Sequence, residues 1–193
     1  MVTLRAPSSL SSSESSPSIT PPALQWISGS WNVTHSTLPM WRKNKNVVIT
    51  YKPVPDTSPA QIDDVVTYQP LNSSSTKTVH GLDKPFSVPS TSTEGEGTDT
   101  ASLGYNWRGK GWLVIASSKW EILGYGDEQG TGNAWVVTYF AKTMFTPAGI
   151  DIYSRKGRLG AELVESIKAG LAGLGGEVAQ LTTEVFEVGM DEE

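Results

Sequence analysis

From Trp31 onward the chain repeats one local pattern: short runs that alternate apolar and polar side chains, each cut off by Pro, Gly or Asn. Alternation with a period of two is what a half-buried strand requires, because successive side chains point to opposite faces. Strands are predicted over Trp31 to Leu38, ended by Pro39; Val47 to Lys52, ended by Pro53-Val54-Pro55; Asp64 to Gln69, ended by Pro70; and Thr76 to Leu82, closed by Pro85 and Pro89. Residues 90–100 are polar and rich in Thr and Gly, and read as an exposed loop. Strands resume at Ser102 to Trp107 and Trp112 to Ser117, which flank the hairpin-like turn Arg108-Gly109-Lys110-Gly111. Trp120 to Tyr125 comes next, then a Gly-rich turn over Gly126 to Gly132. Ala134 to Lys142 is the longest candidate, with Trp135, Val137 and Tyr139 alternating against Val136, Thr138 and Phe140.

One segment changes period. Leu159, Leu163, Ile167, Leu171 and Leu174 form a helical stripe with Val164 beside it, stopped by Gly175-Gly176. Interior glycines at 160, 170 and 173 weaken it by roughly 1 kcal/mol each, so the helix needs a surface to dock on. A last short strand is predicted over Thr182 to Val188. Many strands without interleaved helices, then one helix, predict an all-β chain: an antiparallel up-and-down barrel or a sandwich, with one C-terminal α-helix outside.

Composition narrows the classes. The 193 residues are enough for one domain with a substantial core, and 19 Gly with 12 Pro suit many turns. A net charge of −5 offers no basic footprint for nucleic acid. The absence of Cys excludes disulfides and thiolate metal sites and favours a reducing, cytoplasmic compartment. No run has the length of a membrane span or the apolar core of a signal peptide. Residues 1–22, rich in Ser and Pro, are expected to be a disordered tail; 23–188 the barrel domain; and 189–193 an acidic tail.

Two motifs sit where this order would put them in a lipocalin. Gly29-Ser30-Trp31 resembles the G-x-W signature that opens the family's first strand, with Leu24 to Ile27 as the short turn closing the barrel's bottom. Trp135 to Thr143 resembles the last barrel strand of bacterial-type lipocalins, which ends in a basic residue, usually Arg, packed over the motif Trp; Lys142 stands at that position. The chain over roughly residues 23–188 is thus similar to a divergent branch of the lipocalin-like, or calycin, barrels. The resemblance implies a closed barrel that carries a small apolar guest. It also implies an alternative, because barrels of this kind host cyclases and isomerases that need no cofactor.

Inside such a barrel, alternation would place His35 and Thr37 above Trp31 toward the mouth. His35, Tyr139 and Glu121 are the candidate acid–base or orienting groups, each also readable as an ordinary structural side chain. Met40, Trp41 and Arg42, between the first two strands, suit a lid over an apolar ligand or a solvated loop. Tyr68, Trp112, Trp120, Tyr125 and Trp135 supply ring surface for a polyene, terpenoid, polyketide or aromatic metabolite. Asp63-Asp64 reads as a solvated pair. No metal site and no cofactor are expected, and the expected partner is a small hydrophobic molecule, with neither nucleic acid nor membrane, for a monomer or weak dimer.

Overall fold

The alternating runs form a closed antiparallel barrel. The computed structural model describes residues 2–10, 17–88, 99–111 and 116–191. The strands are β1 (Gly29–Ser36), β2 (Asn44–Pro53), β3 (Ile62–Pro70), β4 (Lys77–Phe86), β5 (Gly104–Gly109), β6 (Ser117–Glu128), β7 (Asn133–Phe140) and β8 (Gly149–Ser154). Each pairs with the next, and β1 pairs with both β2 and β8, so eight strands close on themselves. A two-residue strand, β9 (Phe186–Glu187), adds to β1. Helix α1 (Leu24–Ile27) closes the end where β1 begins. A 3-10 turn over Pro39–Lys43 caps the opposite end, the mouth.

The bottom of the barrel depends on Trp31. Its ring is fully buried, its Nε1 donates to Ile27 O at 2.7 Å, and Trp26 lies 5.3 Å away. The cation above it is Arg155, whose guanidinium carbon is 3.6 Å from the ring centroid, and not Lys142. Arg155 follows β8 directly and donates to the carbonyls of Trp26, Ser28 and Ser30. The last barrel strand is therefore β8, and the Trp135 run belongs to β7, the strand before it. Sequence reading missed β8 because Asp151 interrupts its short apolar run between Ile150 and Ile152.

Other boundaries also shift. Residues 117–128 form one strand, β6, bent by an irregularity between Ile122 and Gly124, where the sequence suggested a strand ending at Ser117 and another from Trp120. The first part of that suggestion, residues 112–115, and most of the expected 90–100 loop lie outside the described residues. The expected strand over 182–188 shrinks to β9, because helix α3 (Gly176–Thr182) occupies its start.

Two apolar clusters divide the barrel wall. The inner one gathers Trp31, Val33, Ile49, Tyr51, Ile62, Tyr105, Trp120, Ile122, Val136 and Tyr153, one face of every strand except β4, to which Phe86 contributes from its end. The outer one sets Leu123, Trp135, Val137, Tyr139, Ile150 and Ile152 against helix α2 (Ala161–Gly173), which turns Val164, Ile167 and Leu171 onto the wall. The Glu128 carboxylate, at the end of β6, accepts from Gly160 N at 2.7 Å and satisfies a free amide at the start of α2.

Residues 2–10, expected to trail freely, run along this outer face. Leu4 is 4% exposed, and Arg5 N donates to Leu123 O at 2.8 Å where β6 is bent. The segment approaches so closely that a Cβ on Gly124 would stand 2.4 Å from the Leu4 side chain, which explains a glycine there. Beyond this segment, Thr20 O accepts from Tyr125 OH at 2.8 Å.

Candidate functional site

Period-two alternation puts more than rings inside the barrel. On β3, Ile62, Asp64, Val66 and Tyr68 share a face; on β4, Asp83 does; on β8, Asp151 and Tyr153 do. Asp64, Asp83 and Asp151 are 6%, 0% and 1% exposed, so three carboxyls lie within the barrel's interior. Every buried cation that would neutralise them is missing there among the described residues, the one fully buried arginine, Arg5, being on the outer wall. Burial without a counter-ion favours the neutral acid.

Burial raises the Asp151 pKa to about 7, opposed by hydrogen bonds from Ser36 Oγ and Trp41 Nε1, the latter at 3.3 Å. Burial, then the nearby charge of Asp63, raises Asp64 to about 7 as well, opposed by the Trp107 indole N–H. Asp83 is pushed well above the usual carboxylate range by burial and then by Asp64, and it accepts from Trp120 Nε1 at 2.8 Å on Oδ1. Asp64 faces Tyr51 on β2 and Gly81 on β4 in register, while Asp83 faces Ile62, so the two acids are diagonal neighbours on one face. Gly81 has a steric reason: a Cβ there would stand 1.9 Å from Trp107 Nε1, in the space the ring occupies beside Asp64.

Rings fill out the rest of this interior. Trp120 is sandwiched between Tyr51 (5.5 Å, 11° between planes) and Tyr105 (4.8 Å, 22°), a stack that reaches from β2 to β5 and β6. The buried hydroxyls of Tyr51 and Tyr153 both have pKa values driven up by burial, and each lies in the field of Asp64. Toward the mouth, Trp41 meets Tyr68 edge-on at 5.6 Å while reaching down to Asp151. The outcome is a ring-lined interior whose polar groups are carboxyls and phenols that burial biases toward their neutral forms.

Of the candidates named from sequence, Trp120, Trp41 and Tyr68 lie at this interior. Thr37 is buried at the rim, where its Oγ1 accepts from Ile150 N at 2.8 Å. Met40 is 51% exposed on the mouth turn, and Arg42 lies over the Phe186 ring at 4.1 Å. Tyr125 packs on Trp26 at 4.9 Å, at the closed end. Trp112 lies outside the described residues.

The three acid–base candidates do not meet. The pairing of β1 shifts between Val33 and His35, which turns His35 onto the face of its partner Ile152, beneath α2. There burial, then the charges of Lys168 and Arg158, lowers its pKa, and its Nδ1 lies 3.1 Å from Thr34 Oγ1. Tyr139 points outward too: its OH donates to Glu177 Oε1 of α3 at 3.1 Å, and burial raises its pKa to about 12. Glu121 accepts from Arg5 Nη2 at 2.7 Å and from Ser8 N at 3.0 Å, holding the N-terminal segment. Trp135 belongs to the outer cluster as well.

Asp64, Asp83 and Asp151 were missed. The expectation that Asp63-Asp64 is solvated holds for Asp63, which ion-pairs with Lys110 near the surface, while Asp64 turns inward. The signal was an acid in phase with Ile62, Val66 and Tyr68, and another between two isoleucines.

The fold is lipocalin-like. Lobster apocrustacyanin A1 superposes with a TM-score of 0.56 at 13% identity, covering 88% of this chain and 80% of that one. Apocrustacyanin C1 superposes with a TM-score of 0.55 at 14% identity, covering 86% and 78%. No protein-family model matches the chain. Among curated proteins, the botcinic acid biosynthesis cluster B protein 12 of Botryotinia fuckeliana (strain B05.10) is 30% identical over 183 residues, 90% of this chain and 77% of the relative. With that identity over 90% of the chain, it belongs to the family of the Botryotinia cluster B protein 12, built on a lipocalin-like fold.

Proposed function

We propose that the barrel receives a small, mostly apolar or aromatic metabolite in its interior and acts in the cytoplasm as a carrier or sequestering protein of secondary metabolism. The observation that carries this reading is the pair of buried carboxyl oxygens, Asp64 Oδ1 and Asp83 Oδ2, which, like the Tyr153 hydroxyl, have no hydrogen-bond partner among the described residues. A buried polar group left unpaired costs about 1–3 kcal/mol, and a barrel filled only for stability would dispense with both. A guest supplying the missing partners offsets that cost. Trp41 and Tyr68 would give the guest its ring contacts toward the mouth and the stacked Trp120 only its edge, with Thr37 and Met40 at the rim. The relative's name supports the metabolic setting, since it places that protein in the biosynthesis of botcinic acid.

A second reading uses the same interior as a cofactor-free isomerase or cyclase. It is favoured by Asp64, whose pKa of about 7 suits proton exchange at neutral pH. Native mass spectrometry of the full chain, mixed with a metabolite extract of its source organism, tests both. The carrier reading expects one compound retained per chain and released unchanged after incubation. Release as an isomer replaces carriage by catalysis, and retention of nothing overturns the lumenal site.

A further inference from the structure

We propose that the guest is a neutral compound bearing carbonyl oxygens, and that it docks them on Asp64 Oδ1 and Asp83 Oδ2. This rests on the lumenal site proposed above and deepens it by giving the ligand's polar chemistry. Both acids carry the same arrangement. Trp120 Nε1 donates to Asp83 Oδ1, the Trp107 indole N–H stands beside Asp64, and each acid keeps one oxygen without a partner among the described residues. An indole N–H can only donate, so it is best accepted by the carbonyl oxygen of a neutral carboxyl. The hydroxyl is then left on the unpaired oxygen. Two buried O–H donors on adjacent strands therefore point into the interior without an acceptor among the described residues, and what complements them is a pair of acceptor oxygens.

Charge selects among acceptors. Two carboxyls that are diagonal neighbours across β3 and β4, with no buried cation on the inner face among the described residues, resist becoming anions together. They resist a carboxylate ligand for the same reason, because it would enter a ring-lined interior with no positive partner. Arg155 is committed to Trp31 and three backbone carbonyls at the closed end, and Arg42 to Phe186 at the mouth. A ketone, lactone or ester fits; a fatty acid does not.

The test uses three probes of matched length with the full chain near pH 6: δ-decalactone, decanoate and decylamine, read by tryptophan fluorescence and calorimetry. The lactone is expected to bind at least tenfold more tightly than either ion, with its carbonyl infrared band moved to lower frequency. Asp64→Asn and Asp83→Asn should keep lactone binding within about threefold, because an amide can accept from the indole and donate to the ligand. Asp64→Leu and Asp83→Leu should lose it tenfold or more and abolish the infrared shift. Decanoate or decylamine binding as well as the lactone overturns the carbonyl assignment and leaves the lumenal site standing, as does loss of lactone binding in both folded Asn variants. Failure of all three probes and of every compound in the extract overturns the lumenal site, and this inference with it.

Discussion

Asp151 gives the most direct handle on the barrel's interior, because its carboxyl is fully enclosed and held near neutrality. Its pKa stands at about 7 in the folded chain against 3.8 for the free side chain, with burial the main cause. The folded state therefore keeps a proton that the unfolded chain has released once the pH passes 4. Stability from this group is fully present below pH 4 and declines as pH rises through 7, where the carboxylate must ionise in place. Linkage with those two values gives a loss of about 2.5 kcal/mol between pH 5 and pH 8. Asp151→Asn removes the titration while leaving groups that can bond Ser36 Oγ and Trp41 Nε1. The variant's stability relative to the natural chain should then improve by about 2.5 kcal/mol over that interval, a relative rise in Tm of roughly 5–10 °C for a domain of this size. Urea unfolding of both proteins at half-unit pH steps measures it. Parallel curves from pH 5 to 8 would mean that Asp151 is already ionised, or solvated, in the folded barrel, and would refute the neutral-interior argument.

Three other perturbations test the architecture by chemical or thermal unfolding. Arg155→Ala removes the cation over Trp31 and three carbonyl hydrogen bonds and should cost about 2–4 kcal/mol, whereas Lys142→Ala should change stability by less than about 0.5 kcal/mol. Equal effects would undo the assignment of β8 as the closing strand. Arg5→Ala leaves Glu121 buried without its ion-pair partner and should cost about 3–5 kcal/mol, while Arg5→Met with Glu121→Leu should recover most of that loss. A cost below about 1 kcal/mol for Arg5→Ala would show the N-terminal segment detached in solution. Gly81→Ala forces Trp107 away from Asp64 and should destabilise by about 1–3 kcal/mol with a change in tryptophan emission; a silent substitution would contradict the packing of that ring.

How much of this was readable beforehand depends on the range of the forces involved. Strand alternation and the helical stripe are local, and they led to an all-β barrel or sandwich with a helix outside it; the resemblance of Gly29-Ser30-Trp31 to the lipocalin signature chose the closed barrel. The residues that failed depended on distant partners. Simple alternation puts His35 in phase with Trp31, but the irregular pairing after Val33 reverses the phase, and that pairing is set by β8, which lies more than a hundred residues away. Tyr139 and Trp135 sit on a strand whose two faces are both covered, one by the interior and one by α2, so its near-continuous apolar character carries no direction. Asp64 is the instructive case. An aspartate inside a strand reads as surface by default, since an isolated buried carboxyl is costly. Its neighbours in phase, Ile62, Val66 and Tyr68, said otherwise, and the conflict between phase and polarity was the message. Positions where local chemistry contradicts the fold's periodicity ask for a partner, and Asp151 finds it in Ser36 and Trp41 while Asp64 Oδ1 and Asp83 Oδ2 find none among the described residues, which is why the proposed guest is placed against those two acids.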